Sequence, residues 1–220
     1  GVITVEGQFI SHICPASDFS GELPQSSGST FLPGLVDVHC HGGGGESFPN
    51  ATTPEAAMQA VMEHRRHGTT SLVASCVTAD ADTLKARART LASLAEKDEI
   101  AGIHFEGPFV SHARCGAQDP TYIVDPDPDL TRELIGECKG YALSMTLAPE
   151  KPRAFGAGSV AEALIDGGAI PSWGHTDSNS TFARQALEYS REHFAGSSTT
   201  RGPRATITHL FNGMRPLHHR

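Results

Sequence analysis

The residues in this chain best equipped for chemistry are histidines at the ends of apolar runs, accompanied by one glutamate. Asp37-Val38-His39-Cys40-His41 closes the run that begins at Gly34. Side chains two apart on a strand share a face, so His39 and His41 point together while Cys40 points away. His104-Phe105-Glu106-Gly107-Pro108 closes a second run, Trp173-Gly174-His175-Thr176 a third and Thr208-His209-Leu210-Phe211-Asn212 a fourth. Neutral imidazole is the commonest metal ligand, but one H-x-H is weak evidence alone. With four such ends the set becomes His39, His41, Glu106, His175 and His209. Four histidines and a carboxylate suit zinc, with iron, cobalt or manganese as other occupants. Five donors exceed one tetrahedral shell, so one or two divalent metals per subunit are expected, bridged by the two oxygens of Glu106. Such a centre supports hydrolysis.

These residues converge only if the runs are parallel strands whose C-terminal ends share one face. Strands are expected at 34–38, 70–76, 101–105, 142–147, 169–173 and 205–210. Helical patterns lie between them. Thr53, Pro54 and Glu55 open one with Met58, Val61 and Met62 on its apolar side and Gly68 as its stop. Leu84, Ala88, Leu91 and Ala95 mark another; Ser159 and Glu162 have capping-box spacing; Phe182, Ala186, Tyr189 and His193 form a weaker stripe. Alternating strands and helices indicate βαβ units around a parallel sheet, either doubly wound or a (β/α)₈ TIM-type barrel. In the barrel, all the C-terminal strand ends lie on one active face. The barrel is expected to be C-terminally incomplete, since the 220 residues hold six strands and a closed barrel typically needs roughly 250 residues. Residues 1–30 show no helical period and read as part of a small β-sandwich domain; residues 31–220 form the hydrolase barrel, about six βα units.

Composition narrows the partners. A formal net charge of -8 opposes a broad footprint on nucleic acid or an anionic membrane. The five cysteines are odd in number and form no C-x-x-C pair, which favours a reduced, cytoplasmic chain. No apolar run approaches the roughly 18 residues of a membrane helix, and no signal region opens the sequence. Other conspicuous residues have ordinary readings. Gly42 to Gly45 reads as a flexible βα loop, and His64-Arg65-Arg66-His67 as a solvated helix end. Asp177 reads as a helix cap; His104 either lines the pocket or is a hydrogen-bonded barrel residue; Cys115 either touches substrate or is a loop thiol.

D-V-H-C-H (37–41), H-F-E-G-P-F (104–109), T-L-A-P-E (146–150), G-H-T-D (174–177) and T-H-L-F-N-G-M-R-P (208–216) together resemble the N-acetylglucosamine-6-phosphate deacetylase family of the amidohydrolase superfamily. The resemblance runs from Phe31 to Arg220. It implies a metal at Glu106, His175 and His209, a second position at His39 and His41, and removal of acetate from a phosphorylated amino sugar. It also implies sugar-phosphate contacts at Ala117, Gln118, Asn212 and Gly213, and an arginine, Arg220, that grips phosphate across a homodimer interface. Gln118 stands where the family usually has histidine, an exchange that keeps hydrogen bonding but loses charge. Gly213 replaces the usual alanine and is expected to leave backbone contacts intact. The family's proton-carrying aspartate lies on an eighth strand that these residues do not supply, so no general base is named and only residual hydrolysis is expected. The amino terminus is likewise expected to be trimmed. Two other readings stand beside this one. A cyclic-amide hydrolase would carry a carboxylated lysine on the fourth strand, and 142–147 contains none. A metal- or phosphosugar-binding module without catalysis would need no aspartate.

Overall fold

The computed structural model describes residues 1–26, 28–198 and 204–216. It contains two compact units, Gly1–Pro33 and Gly34–Arg220. In the first, β1 (Val2–Glu6) and β2 (Phe9–Cys14) pair antiparallel across a turn in which Gly7 adopts φ +62°, a conformation that costs glycine nothing.

The second unit runs β3 (Leu35–Cys40), β4 (Gly42–Gly43), β5 (Glu46–Ser47), α1 (Pro54–Arg66), β6 (Thr69–Val77), α2 (Ala81–Ala95), β7 (Gly102–Glu106), α3 (Pro128–Glu137), β8 (Ala142–Leu147), α4 (Val160–Asp166), β9 (Ile170–Trp173), α5 (Ser180–Gly196) and β10 (Thr206–Ile207). Six of these strands form one parallel sheet in the order β10-β9-β8-β7-β6-β3. Spatial order follows chain order without the reversal that defines a doubly wound sheet. The unit is therefore a partial TIM-like barrel with one helix between each pair of successive strands.

Local chemistry sets the helix starts. Thr53, Asp80, Asp127, Ser159 and Asn179 each accept backbone N–H bonds at the first turns of α1 to α5, and Pro54 and Pro128 occupy first-turn positions where a missing N–H costs nothing. Helix α3 opens on Asp127-Pro128 as α1 opens on Thr53-Pro54, a cap-then-proline signal that the expected helices did not include. On α2, Leu84, Ala88, Leu91 and Ala95 are all buried, as expected. On α5 the buried face is Ala186, Ser190 and Phe194, whereas Phe182 is 42% exposed. Tyr189 packs against the core only partly and His193 is half-buried, so the expected stripe lies along the edge of the buried face, with Phe182 outside it.

Two strands differ by two residues or more at an end from the sequence expectation. β3 extends to Cys40, which places His39 inside the strand. β10 is only Thr206–Ile207, because His209 (φ 52°) and Phe211 (φ 68°) turn the chain out of extended geometry. The core lies between sheet and helices, where Phe105, Met145 and Leu147 meet helix residues such as Leu84, Leu91, Leu134 and Leu164. Leu84→Ala is expected to cost about 2–5 kcal/mol of unfolding free energy, since it leaves a cavity in this layer. Phe182→Ala is expected to change stability by about 0.5 kcal/mol or less, as an exposed position. Urea denaturation of the two variants checks the contrast.

Candidate metal centre

The C-terminal ends of β3, β7, β9 and β10 meet around Glu106, the last residue of β7, whose side chain is only 3% exposed. Its Oε1 lies 2.7 Å from His209 Nε2, 3.0 Å from His175 Nε2 and 3.3 Å from His39 Nε2. Its Oε2 lies 3.0 Å from His41 Nε2 and accepts a 2.7 Å bond from the Gln118 amide. The five residues expected to hold metal are thus brought together, with three imidazoles facing Oε1 and that of His41 facing Oε2.

His175 and His209 both adopt left-handed backbone conformations, φ 48° and 52°. Histidine enters this region more readily than most residues, and the sharp turn swings each ring from its strand end towards Glu106. The strand pattern carries no such signal; only the tertiary turn does.

Two imidazoles have their tautomers fixed. His175 Nδ1 lies 2.7 Å from the Arg114 carbonyl and His41 Nδ1 lies 3.2 Å from the Ser75 carbonyl. A carbonyl only accepts, so each Nδ1 carries the proton, and a neutral ring then turns the bare lone pair of Nε2 towards Glu106. Lone pairs facing a carboxylate repel unless a proton or a cation stands between them. Backbone carbonyls orienting imidazoles in this way are typical support for metal ligands, so the donor set fits a divalent cation. Without a cation, protons take that place. Burial raises the Glu106 carboxyl, but hydrogen bonds from His175, His39 and His41 outweigh it and hold the group well below the usual carboxylate range. Burial lowers His175, but its bonds to Glu106 and to the Arg114 carbonyl outweigh that and raise it.

Ala117, Gln118, Asn212 and Gly213 line the same cleft of about 650 Å³ as the five ligands; Arg220 lies outside the described residues. Gln118 is 4% exposed, and its amide serves the carboxylate: Nε2 donates to Glu106 and Oε1 accepts from Thr78 N at 2.7 Å. Gly213 N donates to the His209 carbonyl, and a Cβ at this position would lie 3.0 Å from His209 Cβ, so an alanine here would press on a ligand.

The walls of the site are fixed by residues to which the sequence reading gave another role or none. Glu150 accepts the Thr176 hydroxyl and, at 2.7 Å, Asp177 N, which anchors the loop beyond His175. Asp177 is not the helix cap expected, for Asn179 holds that place. Its carboxylate receives Arg114 at 2.8 Å and Arg215 at 2.9 Å, and these guanidiniums hold its pKa below the usual range. The glycines 42–45 do not form a loose loop either. They make the β4–β5 hairpin, in which a side chain on Gly42 (φ +135°) would collide with Glu46 O at 2.4 Å. His64, expected in solvent, is half-buried and reaches Gly42 O at 3.0 Å. Gln59 Nε2 donates to Gly44 O at 2.9 Å, so α1 holds the hairpin at two points.

His104, 2% exposed, is a hydrogen-bonded barrel residue and is not among the residues lining the Glu106 cleft. Ser144 Oγ lies 2.7 Å from its Nδ1 and Thr146 Oγ1 3.0 Å from its Nε2, and it borders a second cleft of about 600 Å³. Burial, reinforced by the charge of His39, pushes its pKa down to about 3, so the ring stays neutral. Cys115 is a half-buried free thiol in the loop after Glu106.

The amidohydrolase family model matches residues 30–188. The N-acetylglucosamine-6-phosphate deacetylase of Bacillus subtilis (strain 168) is 33% identical over 217 residues, 94% of this chain and 50% of the relative. The crystal structure of N-acetyl-D-glucosamine-6-phosphate deacetylase from Mycobacterium smegmatis matches with a TM-score of 0.75 and 35% identity, over 91% of this chain and 50% of that one. A mutant of that enzyme in complex with N-acetyl-D-glucosamine-6-phosphate matches with a TM-score of 0.74 and 37% identity, over 86% and 45%. The chain therefore spans about half the length of these relatives.

Replacing His175 or His209 by alanine is expected to remove most metal from the centre, because each loss opens the coordination shell. Elemental analysis of the purified variants checks this, and unchanged metal content in both would sink the assignment.

Proposed function

The chain belongs to the amidohydrolase family, and on that premise we propose that it carries the metal centre and sugar-contacting residues of a deacetylase converting N-acetylglucosamine 6-phosphate to glucosamine 6-phosphate and acetate. The observation that carries this reading is the buried Glu106 carboxylate facing four imidazoles, two of them with their protons turned away onto backbone carbonyls. Glu106, His175 and His209 would hold one divalent metal, and His39 and His41 would supply a second position beside the same carboxylate. A metal bound there would acidify water and polarise the acetyl carbonyl. Zinc is the occupant most compatible with these donors.

The chain's own residues do the positioning. Gln118 fixes one oxygen of Glu106, and the Arg114 and Ser75 carbonyls fix the rings of His175 and His41. Ala117, Asn212 and Gly213 form the cleft wall where a sugar would rest. A proton must also reach the amide nitrogen before it leaves as an amine, and Asp177 is unsuited to carry it, being ionised and bound by two arginines.

The substrate proposed is the one for which the Bacillus subtilis relative is named and with which the Mycobacterium smegmatis mutant is in complex, N-acetylglucosamine 6-phosphate. A cyclic-amide hydrolase fits less well, because β8, Ala142–Leu147, offers no lysine to carboxylate. Arg220 would recognise the phosphate in a homodimer, as a guanidinium fork suits paired phosphate oxygens. The five free thiols are consistent with the reducing cytoplasm as the place of action.

With the whole natural protein, N-acetylglucosamine 6-phosphate should be hydrolysed faster than unphosphorylated N-acetylglucosamine. One charge-assisted contact is worth about 1.5–3 kcal/mol, roughly ten- to a hundredfold in kcat/KM. Equal kcat/KM values for the two sugars would refute phosphate recognition.

A further inference from the structure

The side of β3 turned away from Glu106 carries a second group of metal-type donors. Asp37, Cys40 and His64 present an oxygen, a sulfur and an imidazole nitrogen, all within 4.8 Å of one another. On a regular strand Asp37 and Cys40, three positions apart, would point to opposite faces. The ladder slips between them: Asp37 pairs with Leu72 and Cys40 with Ala74, so three steps on β3 face two on β6. An extra residue of this kind is a bulge, and it changes which side chains share a face. Here it sets Asp37 beside Cys40, towards α1, while the rings of His39 and His41 stay together at the barrel mouth with their Nε2 atoms 3.1 Å apart.

The group is held before any cation arrives. Cys40 is 5% exposed, its N–H donates to Ser75 Oγ at 3.1 Å, and its Sγ lies 3.1 Å from His64 Nε2. Asp37 Oδ1 accepts from His39 N at 3.1 Å. The Gly42 carbonyl closes the ring of donors, 3.0 Å from His64 Nε2 and 3.8 Å from Cys40 Sγ.

We propose that Asp37, Cys40 and His64 form a separate structural site for a thiophilic divalent cation, Zn²⁺ foremost, completed by the Gly42 carbonyl or a water. Zinc bonds of about 2.3 Å to sulfur and about 2.0–2.2 Å to nitrogen or oxygen put tetrahedral donors about 3.4–3.6 Å apart. The 3.1 Å between Cys40 Sγ and His64 Nε2 need widen by only a few tenths of an ångström to match. On binding, the thiol proton leaves Cys40 Sγ for solvent. The proton that His64 Nε2 shares with Gly42 O moves to Nδ1 through solvent, which frees the Nε2 lone pair. The cation then ties β3, the β4–β5 hairpin and α1 at the point from which His39 and His41 project. A hydrogen-bonded clamp from His64 to Gly42 O, with no metal, is the competing account of the same contacts.

Sulfur separates this site from the centre at Glu106, whose donors are all nitrogen and oxygen. Metal-free protein titrated with Co²⁺ under reducing conditions should develop a thiolate-to-cobalt charge-transfer band in the near ultraviolet. The band, and its share of the bound metal by elemental analysis, should be lost in Cys40→Ser and in His64→Gln. His64→Gln keeps a donor for Gly42 O, so it tests the metal site without removing the clamp. His175→Ala, which damages only the other centre, should retain the band. Absence of the band in the unaltered protein, its survival in Cys40→Ser, or its loss in His175→Ala would overturn the proposal.

Discussion

Everything in this unit is organised around keeping one carboxylate out of water. Moving an ion from solvent into a protein interior costs several kcal/mol even after relaxation. The Glu106 side chain, 3% exposed, bears that cost only because imidazole nitrogens and the Gln118 amide surround both of its oxygens. The carboxylate is therefore both the centre of the site and a constraint on the fold. A βα unit that slipped by one residue would turn a ring away and leave the charge without its partner.

The partners come from four strands, and what fixes each differs. Glu106 is held by the register of β7 between β6 and β8, with Val77 and Thr146 opposite it. His175 and His209 rely on left-handed turns just past their strands, a conformation costing of order 1–3 kcal/mol that persists only where surroundings impose it. Those surroundings are visible. The Arg114 carbonyl holds the His175 ring, Glu150 the Thr176 hydroxyl and the Asp177 N–H, and the pair of arginines on Asp177 ties the loop after β7 to the segments that follow β9 and β10. His41 depends on the hairpin beyond it, where Phe48 N donates to the His41 carbonyl at 2.9 Å and Phe48 itself is fully buried.

Next to the charged centre lies a polar layer without formal charge. His104, Ser144, Thr146, Thr208 and Ser172 pass hydrogen bonds of 2.7–3.0 Å from one to the next across β7, β8, β9 and the residue after β10. A histidine held neutral by burial adds no charge to compete for Glu106, although its ring centroid is only 4.7 Å from that of His39. Hydroxyls can act as donor or acceptor, so such a layer satisfies itself whichever tautomer His104 adopts.

The sequence by itself determined the alternation of strand and helix, the parallel sheet and the five residues of the centre. Each rests on information carried within a few neighbouring residues: apolar runs, capping residues before helices, and histidines or a glutamate where a run ends. It also led astray wherever a local habit stood in for a distant partner. Asp177 looked like a cap because aspartates often are, Gly42 to Gly45 like a slack loop, and His64 like a solvated helix end. Their actual partners, Arg114, α1 and Gly42 O, lie 63, 15 to 22 and 22 residues away along the chain. Only the tertiary structure decided which nitrogen of His41 and of His175 carries a proton, that Gln118 serves Glu106, and that a bulge sets Asp37 beside Cys40. Local patterns record what each residue does for its own helix or strand. Hydrogen-bond partners brought close by packing leave no spacing in the chain to read, because the distance between them in space is set by the sheet and not by their separation in sequence.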